Sequence, residues 1–425
     1  FFFKQKTAYE IPKRDWSSDA CSSDLLGLGG VAEAQQPPIK IGYGMSLTGG
    51  LAVNGKAAII AHEAWRDDVN AKGGLLGRKV ELVYYDDQSN PSTVPALYQK
   101  LISVDKVDFV IGGYATVPLA AAMPVVMQHN KVFVGLFGLA VNEEFKYPKY
   151  FSMAPPGPDP KPAFTKGYFE IAMQQNPKPQ TVAIVANDLE FSKNAADGAR
   201  ENAKKAGLRI VYDRSYPPST PDFTPIVRAI QATNPDLVVV CSYPPDSVGM
   251  VRAANEVGLK PKMFGGAMVG LQATPIKAQL GPLLNGIVNY DFWVPVSTMQ
   301  FPGALDFLKR YQEKAPAAGV DVLGYYIPTW AYAQLDVLGQ AIEATKSLDQ
   351  DKVADYLSKA TFKTLVGDVK FGKNGEWAED RMIQVQYQGI QGNAITEFSD
   401  MKKTVVVTPA KYATGKAIYP FTAAK

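Results

Sequence analysis

The chain is poor in the residues that do chemistry on their own. It has two cysteines and two histidines among 425 residues. Cys21 has no plausible disulfide partner, and Cys241 closes the apolar run Leu237-Val-Val-Val-Cys241, where it reads as a small buried hydrophobe. His62 falls mid-helix and His129 at a helix end, in different units, so no His/Cys/carboxylate cluster has metal-ligand spacing. There is no Gly-x-Ser-x-Gly elbow for a hydrolase nucleophile. No apolar run reaches 18 residues, which excludes a membrane-spanning helix. Charge is scattered: 44 basic residues face 41 acidic ones, and Lys402–Lys403 is the nearest approach to a patch. A nucleic-acid partner would need a basic stripe. The expectation is a chain with no catalytic residue, no metal and no cofactor, and not an enzyme.

Two glycine motifs are incomplete. Gly50-Leu-Ala-Val-Asn-Gly55-Lys56-Ala57 follows a strand and opens a helix, but Ala57 lacks the hydroxyl a P-loop uses on Mg²⁺. Gly42-Tyr-Gly44 lacks the third glycine of a dinucleotide fingerprint. Asp86-Asp87 at a strand end reads as a turn and cap pair before it reads as a metal site.

What is present is enough chain, 46% hydrophobic, for two domains with their own cores. Residues 1–25 show neither helical nor strand period and read as a non-native fused segment. Residues 26–36 read as a signal-peptide remnant, with Ala32-Glu33-Ala34 as the cleavage pattern. From Ile39 short β-branched runs alternate with amphipathic stretches. Strands are expected at Ile39–Met45, Lys79–Tyr85, Val107–Ile111 and Val132–Leu136, with helices between them. After the proline-rich stretch Ala154–Pro160 the pattern restarts, with strands at Thr181–Val185, Leu208–Tyr212, Asp236–Val240 and Lys262–Gly265. Two copies of one βα architecture follow, each a parallel sheet covered by helices. Further on, helices are expected at Pro302–Lys314 and Ile327–Thr345. Lys370–Gly375 and Arg381–Tyr387 read as a hairpin.

In open α/β sheets the ligand sits beyond the carboxyl ends of the strands. Here those ends are rich in small, hydroxyl and aromatic residues. Gly113-Tyr-Ala-Thr116 is the sharpest, a turn running straight into a helix. Free N–H groups and a threonine hydroxyl there suit a carboxylate. The plainer alternative is that Thr116 merely caps the helix.

These segments resemble the leucine/isoleucine/valine-binding proteins of branched-chain amino acid ABC importers. The likeness rests on Ser46-Leu-Thr-Gly-Gly50, Val69-Asn-Ala-Lys-Gly-Gly-Leu-Leu-Gly77, Tyr85-Asp-Asp-Gln-Ser-Asn-Pro91, Ala253–Lys260 and Lys370–Glu376. It implies an α/β type I periplasmic binding protein, two Rossmann-like lobes with parallel sheets joined by a multi-strand hinge. Lobe 1 would be residues 37–158 plus 289–364, and lobe 2 residues 159–288 plus 365–425. It implies a periplasmic monomer that captures a small-molecule ligand and delivers it to inner-membrane ABC permease subunits. A ligand-sensing module of the same fold and an α/β hydrolase are the alternatives. The implied ligand-binding set is Leu47 and Asn54 at the first strand end, Tyr114, Ala115 and Thr116, then Phe137, Gly138 and Leu139, then Phe191, Tyr243, Ala267 and Met268. Thr116 falls where the family holds the ligand carboxylate. Ala267 falls where amino-acid binders place an acidic partner for the ammonium. The family's disulfide positions fall on Ser89 and Ala115. An aromatic or aliphatic organic acid therefore suits the pocket better than a zwitterion, unless Glu190, Asp246 or Asp291 supplies the missing charge. Trp293 and Tyr326 extend the aromatic set.

Overall fold

The computed structural model describes residues 36–424. The expectations for residues 1–25 and 26–35, Cys21 included, lie outside the described residues.

The first half of the chain runs β1 (Ile39–Met45), α1 (Ala52–Ala71), β2 (Val80–Asp86), α2 (Val94–Ser103), β3 (Phe109–Ile111), α3 (Thr116–Gln128), β4 (Phe133–Gly135), α4 (Val141–Phe145) and β5 (Tyr150–Ser152). The second winding runs α5 (Pro160–Met173), β6 (Thr181–Asn187), α6 (Glu190–Lys205), β7 (Arg209–Tyr216), α7 (Thr224–Ala232), β8 (Leu237–Ser242), α8 (Pro244–Val257), β9 (Met263–Met268), α9 (Thr274–Leu280) and β10 (Val288–Asp291). Then come α10 (Ala304–Ala318), α11 (Pro328–Thr345), α12 (Gln350–Lys359), β11 (Thr361–Thr364), β12 (Gly367–Lys370), β13 (Ile383–Tyr387) and β14 (Thr404–Thr408).

The first sheet has the order β2-β1-β3-β4-β5, parallel throughout. The second has the order β14-β13-β10-β9-β8-β6-β7. Its parallel part, β7-β6-β8-β9-β10, repeats the winding of the first sheet strand for strand. Strands buried on both faces need no polar side: β8 is Leu-Val-Val-Val-Cys-Ser, every residue buried. The Cys241 thiol lies within it, free and pushed up to about 12 by burial.

After β10 the chain returns to the first sheet. α10 and α11 pack on α1, and the β11–β12 hairpin packs on α11. β13 then rejoins the second sheet, antiparallel to β10. The chain thus crosses between the two sheets three times, after β5, after β10 and after β12. Buried Gln334 of α11 ties this return to the first sheet. Its Nε2 donates to the carbonyls of Gly112 (2.8 Å) and Val134 (2.7 Å), and its Oε1 lies 3.0 Å from His62 Nε2 on α1.

The expected hairpin of Lys370–Gly375 with Arg381–Tyr387 is not formed. β12 pairs with β11, and β13 lies between β10 and β14. The sequence Ile383-Gln-Val-Gln-Tyr387 alternates like a half-exposed strand, yet all five residues are buried. Its glutamines bond backbone instead of water: Gln384 Nε2 donates to Phe164 O, and Gln386 Nε2 to Gly286 O and Ile418 O, each at 3.0 Å. A satisfied polar group can be buried, so alternation did not mean exposure here.

Among the described α-helices only α12 has a side-chain cap, Asp349 accepting from Lys352 N–H at 2.9 Å. Asp349→Ala is expected to cost about 1 kcal/mol in urea unfolding, with no effect on ligand binding.

Candidate functional site

Both sheets reverse their winding order once, between β1 and β3 and between β6 and β8. Segments from the carboxyl ends of both sheets meet at one cavity. Tyr114, Ala115 and Thr116 reach it from β3, and Phe137, Gly138 and Leu139 from β4. Phe191 stands in the first turn of α6, and Tyr243 immediately precedes α8.

The β3 turn is built by close approach. A Cβ on Gly113 would lie 2.3 Å from Gly44 O, so only glycine lets the turn sit against β1. Ala115 has φ 81° and ψ 155°, a region that glycine occupies freely and alanine only at about 1–3 kcal/mol. Thr116 is the first residue of α3, and no side chain caps that helix. It is therefore not the N-cap. Its Oγ1 accepts the Leu139 N–H at 3.0 Å, which leaves its own O–H to donate elsewhere. The uncapped helix start adds positive potential beside that hydroxyl. Ser89, the partner of Ala115 in the disulfide alignment, instead donates to Thr48 O (2.7 Å) and accepts from Leu51 N–H (3.1 Å).

Aromatic rings make most of the remaining wall. Phe137 stacks on Tyr326 with centroids 5.2 Å apart and meets Phe292 edge-on at 4.6 Å. Phe164 contacts Phe191 (5.4 Å) and Tyr290 (4.8 Å), and Phe191 contacts Tyr243 (5.7 Å). Tyr114 donates to the Tyr326 hydroxyl at 3.4 Å and bonds the Asn54 side chain, while burial pushes its phenol up to about 12. The Tyr243 hydroxyl is buried and raised by desolvation, with only the Phe191 N–H drawing it the other way. No charged side chain lines the cavity among the described residues.

Five expected residues do not line it. Leu47 sits in the first loop, where its N–H donates to Asp86 Oδ1 at 2.9 Å. Asn54 stands behind Tyr114. Ala267 and Met268 are still inside β9, with Met268 N–H held by Asn289 Oδ1 at 2.9 Å, so the cavity meets Val269 instead. Trp293 points away, its Nε1 donating to Met299 O at 2.8 Å. Ala154, Phe164, Tyr290 and Phe292 were not anticipated. The last two had a signal, the i, i+2 spacing that puts Tyr290 and Phe292 on one face of an extended segment. The Asp86–Asp87 pair is a loop clamp. Asp86 accepts from the N–H groups of Leu47, Thr48 and Gln88, and Asp87 from the Ser46 hydroxyl at 2.6 Å.

Comparison with known proteins agrees with this architecture. The chain is 26% identical over 377 residues to Leu/Ile/Val-binding protein homolog 8 of Brucella abortus, covering 85% of this chain and 91% of that one. Its fold is similar to that of a solute-binding protein of an ABC transporter from R. palustris, solved with 4-hydroxybenzoate. There the TM-score is 0.73 at 20% identity, covering 90% of this chain and 98% of that one. It is also similar to the branched-chain amino acid transporter substrate-binding protein LivJ of Streptococcus pneumoniae, solved with isoleucine. That TM-score is 0.70 at 19% identity, with coverage of 88% and 100%. The family model for periplasmic binding proteins matches residues 38–393, and with two like-wound sheets meeting over one cavity, the chain belongs to the periplasmic binding protein family.

Proposed function

We propose that the protein is the extracytoplasmic solute-binding component of an ABC importer of the branched-chain amino acid type, and that its ligand is an aromatic carboxylate. One observation carries the ligand class: eight aromatic side chains and the uncapped start of α3 line a cavity without a charged side chain. A carboxylate there receives the Thr116 hydroxyl and helix N–H groups. An ammonium would find no counter-charge in the lining itself, and burying one unpaired costs several kcal/mol.

Of the three carboxylates that might have served, none lines the cavity, and Asp246 and Asp291 have partners of their own. Asp246 Oδ2 accepts from Asn187 (2.9 Å) and Tyr216 (2.7 Å). Asp291 Oδ1 accepts the Phe292 N–H, and burial pushes this carboxyl to about 7 against the pull of Lys277. Glu190 is raised by burial and by Glu144, with Lys193 opposing. The 4-hydroxybenzoate complex of a fold relative supports an aromatic acid, and the isoleucine complex of another is the competing precedent.

The lobes of such a receptor are residues 37–158 with 289–364 and 159–288 with 365–425. The three crossings support that division. β10 and the β11–β12 hairpin straddle two of its boundaries, which moves them into the crossing segments themselves. Docking of the closed receptor on permease subunits in the inner membrane, after export by a signal peptide, completes the reading. Binding without catalysis fits a cavity that holds no nucleophile–base pair.

Melting curves with 4-hydroxybenzoate, benzoate and leucine test the ligand class. A ligand at a hundred times its Kd adds about 2.7 kcal/mol, an easily read shift in Tm. Stabilisation by the aromatic acids and none by leucine is expected. The reverse pattern overturns the assignment.

A further inference from the structure

Arg381 lies in the third crossing segment, away from the lining of the candidate cavity, and its N–H donates to Pro155 O of the first crossing at 2.9 Å. Its side chain is caged by rings: the guanidinium carbon is 4.5 Å from the Trp377 centroid, 5.1 Å from Phe301 and 5.4 Å from Trp330. The residue is 8% exposed. Nε and Nη2 are buried with no acceptor, and so are the indole N–H groups of Trp330 and Trp377. Four donors are thus gathered in one ring cluster without a hydrogen-bond acceptor. Among the described residues Arg381 makes no ion pair. Burial lowers its pKa to about 10, with Tyr412 and Asp368 only partly offsetting the loss of water.

A buried guanidinium with rings around it and no counter-ion is electrostatically incomplete. The rings favour a cation, but they supply no lone pairs to its N–H groups. Arg381 and Trp377 are also part of the wall of a surface pocket rimmed by exposed Lys370 and Lys411. Carboxylates line this pocket too, but two are engaged. Asp368 receives both contacts of Lys363 Nζ, at 2.6 and 2.8 Å. Asp380 accepts the Met382 N–H at 2.9 Å and lies 3.5 Å from Lys166. Glu379 is exposed at the rim.

We propose that Arg381 is the base of a binding site for a small oxyanion, a carboxylate or phosphate, with Lys370 and Lys411 at its mouth. Nε and Nη2 are sealed behind the rings, so Nη1 is the guanidinium nitrogen that an ion in the pocket meets, and the arginine's charge, which has no ion pair of its own, is what holds it. Trp330 packs on both Arg381 and Phe137 (5.6 Å), so the site stands one ring behind the candidate cavity.

Titration of the whole protein with inorganic phosphate, and separately with acetate, tests this at fixed ionic strength against chloride. Tryptophan fluorescence and Tm are the readouts. A saturable response to an oxyanion but not to chloride is expected, and the preferred arm identifies carboxylate or phosphate as the ligand. Lys411→Ala should weaken it about two- to fivefold, and Arg381→Met should abolish it. Asp368→Asn should bind at least as tightly as the wild type. The proposal fails if the wild type does not saturate, or if Arg381→Met responds as the wild type does. It also fails if Asp368→Asn destabilises the protein and removes the response, because Asp368 is then the partner of Arg381. Should Arg381→Met not fold, the Lys411 and Asp368 variants still decide. Thr116→Val, which alters the candidate cavity alone, should leave the oxyanion response in place. That separates this site from the candidate cavity.

Discussion

Thr116→Val is expected to weaken binding of an aromatic carboxylate by about ten- to a hundredfold while the protein stays folded. Valine matches threonine in shape, so packing at the start of α3 is kept and only the hydroxyl is lost. In the wild type the Leu139 N–H occupies an acceptor position on Thr116 Oγ1, which frees the O–H for the ligand. A hydrogen bond to a charged group is worth about 1.5–3 kcal/mol, and each 1.4 kcal/mol is about tenfold in Kd. The variant also strands the buried Leu139 N–H, at about 1–3 kcal/mol of stability. Calorimetric titration and urea unfolding separate the two effects. Thr116→Ser keeps the hydroxyl and should restore most of the affinity. Unchanged affinity in Thr116→Val would place the carboxylate elsewhere in the cavity.

The strands at the centre of each sheet were legible because their residue choice answers one local demand. β1 was expected at Ile39–Met45 and is found there, and β8 followed from an unbroken apolar run. Where one residue served two demands, the reading failed. Pro160 looked like the end of a proline-rich linker, but it starts α5 at a position where its fixed φ and missing N–H cost nothing. Phe164, three residues after helix entry is complete, was lost with it. β13 was expected as a strand at Arg381–Tyr387 and lies at Ile383–Tyr387, but it was given the wrong partner, because its pairing with β10 spans about a hundred residues that no local pattern records.

The site shows the same division. Tyr114, Ala115, Thr116, Phe137, Gly138, Leu139, Phe191 and Tyr243 stand at strand ends next in sequence to a helix, so topology alone points to them. Tyr290 and Phe292 reach the cavity only because the chain passes it again on its way back to the first sheet, whereas Tyr326 was expected there. No local pattern encodes that return. The absence of an acidic residue at the end of β9 was legible, although the cavity meets Val269 rather than Ala267. Both residues are apolar, so the consequence for an ammonium is the same.

Glu376→Gln is expected to stabilise the protein above about pH 8 and to have little effect near pH 5. Glu376 is 2% exposed, and neither of its carboxyl oxygens has a hydrogen-bond partner. Burial, with Glu143 adding repulsion, pushes its pKa from 4.5 to about 8, and the Ser152 hydroxyl beside it opposes this only in part. The folded pKa is raised above the unfolded value, so the folded state prefers the protonated acid. The stability that this group contributes is fully present below about pH 4.5 and is lost as pH rises through about 8. At about 1.4 kcal/mol per pKa unit the full loss has an upper bound of roughly 5 kcal/mol. Asp291, at about 7, slopes the same way, so the wild type keeps part of its pH dependence when Glu376 is replaced. His62 slopes oppositely. Burial lowers it to about 4, and its contribution is lost as pH falls from 6.5 towards that value. Urea unfolding of both proteins from pH 5 to 9 isolates the glutamate. Their stabilities should converge at the acid end and separate steadily towards alkali, with the glutamine variant higher. Parallel profiles would mean that Glu376 gains a partner or reaches water in the folded protein, because the added amide N–H shifts the glutamine variant equally at every pH and only the carboxyl titrates.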